Sequence, residues 1–307
     1  MKIVFFGTSG FAVSSLDKLL NSGHEICCVL TRPDKKKGRH LKVGPSPVGE
    51  FAAAKKVPLL RPEFPDSGLA RDLRHISPDL FIVIAYGHIL KKEILDIPKR
   101  YSINVHASLL PKYRGAAPIN WAIMNGEAKT GVTIIRMNEF MDAGSIIERQ
   151  EVDIDDGDDS ESLGKKLADI GGSMLIKVLG DIDQGRELFR EQDDNAVTYA
   201  RKLVKSDGLI DWSRCAPILY NMVRGLIPWP GAYTYINGKK LTIWKASLID
   251  GDGPPGTVIN YEKNSFIVFC GQGALKLDEV QLEGRKRLKA GAFIRGFRGI
   301  SPGTKLG

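Results

Sequence analysis

Asn104 and His106 stand one residue apart inside an apolar run, with Ile103 and Val105 around Asn104. Residues i and i+2 of a strand point to the same face. If the strand persists to residue 106, a carboxamide and an imidazole lie side by side at its C-terminal end, where open parallel sheets bind their ligands. Both groups donate hydrogen bonds, and a protonated imidazole adds positive charge. Aimed at one oxygen, they suit an oxyanion that develops on a carbonyl carbon during acyl transfer. The plainer alternative is a strand-end Asn making turn bonds and a His satisfied by backbone, because an Asn-x-His pair alone is a weak motif.

The elements that would position this pair read as an α/β Rossmann-like domain. Ile3–Phe6 is a short buried strand, followed by a Gly7–Gly10 turn and a helix with Ala12, Leu16, Leu19 and Leu20 inward. Glu25–Leu30 is a second strand, which completes a βαβ opening. Asp79–Ala85 is almost continuously apolar, as a strand covered on both faces should be. The Tyr101–His106 strand follows, then a helix over Gly115–Asn125, a strand over Thr130–Met137 and an antiparallel edge strand over Ser145–Val152. A long helix is expected over Ser160–Gly180. The first turn is not Gly-x-Gly-x-x-Gly, so it lacks the glycines that let a backbone approach a dinucleotide pyrophosphate. This argues against nicotinamide or flavin, while Thr8 and Phe11 remain placed to line a site.

The periodicity stops between residues 181 and 206. The division expected is a first domain over 1–188, a linker over 189–205 and a second domain over 206–307. The second domain opens with Ile210–Trp212 and a helix over Cys215–Arg224. Short strands then follow at Ala232–Ile236, Leu241–Trp244, Thr257–Ile259, Phe266–Phe269 and Ala274–Leu277, the pattern of a small closed or half-closed β-barrel.

Charge separates the two halves. Residues 1–199 carry 27 Lys and Arg against 28 Asp and Glu, whereas residues 200–307 carry 17 against 8. A basic module beside a near-neutral one fits a polyanionic partner, nucleic acid first, or else a charged surface serving solubility. The stretch 31–47 adds six Lys and Arg with one Asp and no hydrophobic period. It is expected to be a long basic loop on the site edge, without structure of its own. The opening apolar run breaks at Gly7, which makes it a strand rather than a signal peptide. No stretch reaches the roughly 18 apolar residues of a membrane span. Cys27, Cys28, Cys215 and Cys270 have neither zinc nor disulfide spacing and read as reduced cytoplasmic thiols.

The run Asn-Val-His-Ala-Ser-Leu-Leu-Pro-Lys-Tyr-Arg-Gly-Ala-Ala-Pro-Ile, residues 104–119, resembles the signature of the folate-dependent formyltransferases. Met141-Asp142-Ala143-Gly144 resembles the acidic loop that completes their active site, with Ser145 a departure from the Asp or Pro often found there. The likeness spans nearly the whole chain and is greatest to the members that act on methionyl-tRNA. It implies 10-formyltetrahydrofolate as co-substrate, initiator methionyl-tRNA as acceptor, no metal, and Asn104, His106 and Asp142 as catalytic residues. It further implies that Tyr86 and Gly87 lie against the pterin and that Ser108, Leu109, Leu110 and Pro111 form the cofactor loop. By the same likeness the 31–47 loop grips the tRNA acceptor end through Lys35, Lys36, Lys37, Arg39 and Lys42, and the C-terminal domain is an OB-like barrel. A monomer is the default. Two other readings stay open: the same chemistry on a nucleotide-sugar amine or glycinamide ribonucleotide, and a non-catalytic RNA-binding protein on an enzyme scaffold. Small acceptors need neither the lysine-rich loop nor the basic module.

Overall fold

A computed structural model describes residues 1–37, 42–259, 266–297 and 299–307, and of Lys35, Lys36, Lys37 and Lys42 it describes the backbone. Strand β1 (Lys2–Gly7) is buried from Ile3 onward, and helix α1 (Phe11–Leu20) packs Ala12, Leu16 and Leu19 inward. Then come β2 (Glu25–Leu30), the short strands β3 (Lys35–Lys37) and β4 (Lys42–Gly44), and α2 (Pro47–Ala54). Helix α2 starts where it should: Pro47 supplies a preset φ, and Ser46 Oγ accepts from Gly49 N at 2.9 Å. After β5 (Leu59–Leu60), α3 (Ser67–Ile76) is capped by Asp66, whose Oδ1 accepts from Leu69 N at 3.0 Å. The chain continues through β6 (Leu80–Ile84), α4 (Lys92–Leu95), β7 (Tyr101–His106), β8 (Arg114–Gly115), α5 (Pro118–Met124), β9 (Lys129–Arg136), β10 (Ile146–Asp153), α6 (Ser160–Asp183) and β11 (Tyr199–Ala200).

Seven of these strands form one sheet in the order β10-β9-β7-β6-β1-β2-β5. The five from β5 to β7 are parallel; β9 and β10 continue it antiparallel. Chain order reverses between β1 and β6, the crevice where doubly wound sheets take their ligands. Every residue of β6 is buried, and Phe5, Phe6, Phe81 and Ile82 are fully enclosed. Burying a side chain of this size contributes about 1.5–3 kcal/mol, and these residues hold the strand ends in register. Residues 190–200 belong to this unit, where β11 pairs in parallel with β8.

One expectation needs correction. The basic stretch 31–47 is not without structure: β3 and β4 pair antiparallel, Lys35 with Gly44 and Lys37 with Lys42. A ribbon made of backbone bonds and charged side chains shows no hydropathy alternation, so the pattern could not reveal it.

The second unit comprises 119–128, 154–163 and 201–307. It contains α7 (Ala216–Gly225), β12 (Ala232–Ile236), β13 (Lys239–Ile249), β14 (Phe266–Phe269), β15 (Ala274–Leu282), β16 (Leu288–Lys289) and α8 (Ala290–Gly296). Of the closed or half-closed barrel expected, the structure shows an antiparallel half-barrel in the order β12-β13-β15-β14, with β16 beside β15. The Thr257–Ile259 segment runs beside β14, with Gly256 N donating to Phe269 O at 2.8 Å, Phe269 N to Thr257 O at 3.1 Å and Ile259 N to Ile267 O at 3.1 Å, while Val258 N donates to Thr304 O at 2.9 Å on its other side; Ile210 N donates to Tyr233 O at 2.8 Å beside β12. Pro254 and Pro255 have no N–H to give a ladder, and Gly256 turns at φ 77°, so this pairing begins at Gly256. Trp212 still anchors its segment, donating from Nε1 to Thr234 Oγ1 at 3.0 Å inside the core. Among the described residues no helix is long and apolar enough to cross a membrane.

Candidate active site

The C-terminal end of β7 carries Asn104 and His106 on one face, and the loop after β9 brings Asp142 to them. Asn104 Nδ2 donates to Asp142 Oδ1 at 3.2 Å. His106 Nδ1 lies 3.6 Å from Asp142 Oδ2, and that same oxygen accepts from Gly115 N at 2.9 Å. His106 Nε2 is 3.0 Å from the carbonyl oxygen of Tyr113. A carbonyl only accepts, so Nε2 carries a proton and donates. This bond fixes the ring, which is 6 % exposed, and leaves Nδ1 just beyond hydrogen-bond length of the carboxylate. In the neutral ring Nδ1 is then an acceptor, and only a cationic ring offers a ligand a proton from it. Asn104 Nδ2 has two N–H groups, and Asp142 takes one of them. A carboxamide N–H, an imidazole nitrogen and a carboxylate thus converge on one spot at the sheet edge.

The backbone here adopts conformations that cost free energy. Asp142 has φ 52° and Tyr113 φ 62°, both in the left-handed region that non-glycine residues rarely enter. Such residues persist only where surrounding bonds over-determine them, and they cluster at functional sites.

The 107–115 loop is held from the next strand. Thr133, opposite His106 on β9, donates to Ser108 O at 2.6 Å and accepts from Leu110 N at 3.1 Å. Ser108 Oγ donates to Lys112 O at 2.6 Å, and Arg149 Nη1 donates to Leu110 O at 3.0 Å. Ser108 and Leu110 are buried, so they shape the loop from inside, while Leu109 and Pro111 are half-buried at its surface. Tyr86 likewise turns its ring inward. It meets Phe6 edge-on at 5.3 Å, and burial pushes its phenol up to about 12. What this turn presents outward is Gly87, at φ 84°. A Cβ there would come within 3.1 Å of the guanidinium of Arg32. Lys35, Lys36, Lys37 and Lys42 place their backbones in the β3–β4 ribbon beyond β2, and Arg39 lies outside the described residues.

Two residues without a role in the sequence reading stand behind Asp142. Gln192 Nε2 donates to the carbonyl oxygens of Asp142 and Gly144, both at 2.8 Å. Its Oε1 accepts from Arg114 Nε at 3.1 Å and Nη2 at 2.8 Å. Gln192 sits in a polar stretch some fifty positions from the loop it holds, so neither periodicity nor spacing signals it. Arg114 lay within the recognised motif, but only the structure shows what it touches.

A cavity of about 320 Å³ lies beside the Asp142 loop, lined by Lys92, Leu95, Arg136, Met137 and Phe140 among others. None of Asn104, His106 or Asp142 lines it. The second unit has a groove of about 570 Å³ on the outer sheet face, where Lys245, Lys276, Lys289 and Arg295 meet Asp278 and Glu279.

Residues 1–179 match the family model described as formyl transferase, and residues 202–298 match that of the formyl transferase C-terminal domain. A methionyl-tRNA formyltransferase of Geobacter sulfurreducens is 41% identical over 310 residues, covering 100% of this chain and 97% of its own. One from Caldanaerobacter subterraneus subsp. tengcongensis is 43% identical, covering 100% of both chains. The crystal structure of an N-formyltransferase from Helicobacter canadensis, in complex with folinic acid and dTDP-3-aminofucose, superimposes with a TM-score of 0.68 at 20% identity. It covers 90% of this chain and 98% of that one, a likeness of fold. The chain belongs to the formyl transferase family, within its methionyl-tRNA formyltransferase branch.

Proposed function

We propose that this chain transfers the formyl group of 10-formyltetrahydrofolate to the free amino group of initiator methionyl-tRNA in the cytoplasm, working as a monomer. The observation that carries the reading is the convergence of Asn104, His106 and Asp142 at the end of β7, in a chain similar along its full length to methionyl-tRNA formyltransferases. The folate supplies an activated formyl group. The cavity beside the Asp142 loop suits its flat ring, with Leu95, Met137 and Phe140 as apolar walls and Lys92 and Arg136 at the edges. Gly87 and the Ser108–Pro111 loop bound the approach from the neighbouring strand ends.

When the acceptor amine adds to the formyl carbon, negative charge grows on the formyl oxygen. The free N–H of Asn104 and Nδ1–H of His106 are the donors for that charge, and Tyr113 O holds the ring in place without competing for Nδ1. Asp142 stabilises the imidazolium. It also stands where a proton can pass from the attacking ammonium toward the departing N10, so the nitrogen that loses the formyl group leaves with a proton.

For the acceptor, the 31–47 stretch, through Lys35, Lys36, Lys37, Arg39 and Lys42, is read as the grip on the tRNA end. The 206–307 domain, behind a 189–205 linker, is read as an OB-like module whose lysine groove follows the phosphate backbone. Lys276→Ala is therefore expected to weaken tRNA binding and to lower the slope of log K against log salt by about 1. An unchanged slope would remove that groove from the interface. The function itself is tested by acceptor choice. The protein is incubated with 10-formyltetrahydrofolate and, separately, initiator methionyl-tRNA, elongator methionyl-tRNA and an amino-sugar nucleotide. Formylation of the initiator tRNA alone is expected. Turnover on the sugar amine alone would overturn the acceptor and keep the chemistry, and tRNA binding without any turnover would overturn the enzyme reading.

A further inference from the structure

We infer that Gln192 is a positioning residue for the reaction, acting as a two-way clamp that holds Asp142 in its left-handed conformation. The inference rests on the reading of Asp142 as a catalytic residue. Asp142 is held at both ends. Its carboxylate is fixed by Asn104 Nδ2 and Gly115 N, while its carbonyl accepts from Gln192 Nε2. The same amide nitrogen also takes the carbonyl of Gly144, so one side chain secures the loop on both sides of Ala143. Through Oε1 it is tied to Arg114, a guanidinium only 6 % exposed that otherwise reaches Asp194 at 3.3 Å. Arg114 adjoins Gly115, whose N–H binds the Asp142 carboxylate. The contacts close a ring from Asp142 carboxylate to Gly115, Arg114, Gln192 and back to the Asp142 carbonyl.

An amide is required for this arrangement. Two carbonyls need donors and a guanidinium needs an acceptor, and the Gln side chain offers both from one rigid plane. Without it, a non-glycine residue at φ 52° loses the bonds that outweigh its strain, and the loop relaxes toward an ordinary conformation. Misplacement of a reacting group by about 1 Å costs on the order of 10²-fold in rate.

Gln192→Glu separates this role from simple neutralisation of Arg114. The carboxylate keeps the acceptor for Arg114 but has no N–H for the carbonyls of Asp142 and Gly144, and it brings a like charge toward Asp142. Gln192→Ala removes both functions. Each variant is made in the full chain and measured by steady-state formylation of initiator methionyl-tRNA with 10-formyltetrahydrofolate, beside a thermal melt and with Asp142→Ala in parallel. Both Gln192 variants are expected to lose roughly 10- to 100-fold in kcat, with KM for either substrate within about threefold of the parent. Parental kcat in Gln192→Glu would overturn the clamp, since an acceptor for Arg114 would then suffice. A loss confined to KM, or one that follows the melting temperature across both variants, would overturn it too. If Asp142→Ala keeps parental activity, the catalytic reading of Asp142 falls instead, whatever Gln192 does.

Discussion

His106→Ala is expected to lower single-turnover formyl transfer by about 10²–10³-fold while tRNA binding stays at the parental level. Removing one donor from a preorganised oxyanion site has this magnitude because its bond strengthens as charge develops, in surroundings that screen poorly. The ring is 6 % exposed and anchored by Nε2 to Tyr113 O, with Nδ1 3.6 Å from Asp142 Oδ2, so in the proposed cationic ring Nδ1–H is the donor left for the oxyanion. Truncation also removes the buried bond from Nε2 to Tyr113 O, which costs about 1–3 kcal/mol of stability. The assay is therefore run well below the melting temperature of the variant, which is measured separately. Asn104→Ala should behave alike with a smaller stability change, since Asn104 is only half-buried and its partner Asp142 keeps Gly115 N. If His106→Ala formylates at a rate within about threefold of the parent, the assignment of the site at the end of β7 is wrong.

What was legible in the sequence followed from local rules. The period-2 geometry of a strand places Asn104 and His106 together whatever the rest of the fold does. The buried runs at Ile3–Phe6 and Leu80–Ile84 reveal a sheet covered on both faces, and Ser46-Pro47 marks the start of α2. What was not legible depended on partners distant in sequence. Gln192 meets Asp142 and Gly144 across about fifty residues, and Thr133 meets Ser108 across twenty-five, with no periodic pattern to connect them. Tyr86 could not be told from an outward aromatic. Whether its ring or the neighbouring Gly87 faces the crevice depends on packing against Phe6.

Gly144→Ala is expected to disable the enzyme from outside the reacting groups, with a stability loss of about 3 kcal/mol. A Cβ at 144 would fall on the carbonyl oxygen of Arg136 and lie 2.8 Å from its carbon. Both atoms are backbone of β9, so no flexible side chain can yield. Arg136 N donates to Ser145 O at 2.9 Å, which pins the two segments together at the point of the clash. The loop has to lift, and lifting breaks the bond from Gln192 Nε2 to Gly144 O and shifts Asp142 two residues away. At about 2–4 °C per kcal/mol for a domain of this size, the melting temperature should fall by roughly 6–12 °C. Activity should fall on the order of 10²-fold even where the protein remains folded. Gly180→Ala gives the opposite sign. Gly180 lies inside α6 with nothing within 4 Å of its would-be Cβ, and Ala there should stabilise by about 0.5–1 kcal/mol and leave turnover unchanged. Melting of Gly144→Ala together with the parent would mean that the β9 edge yields freely. The rigidity of the Asp142 loop would then no longer explain how a strained carboxylate is kept beside His106.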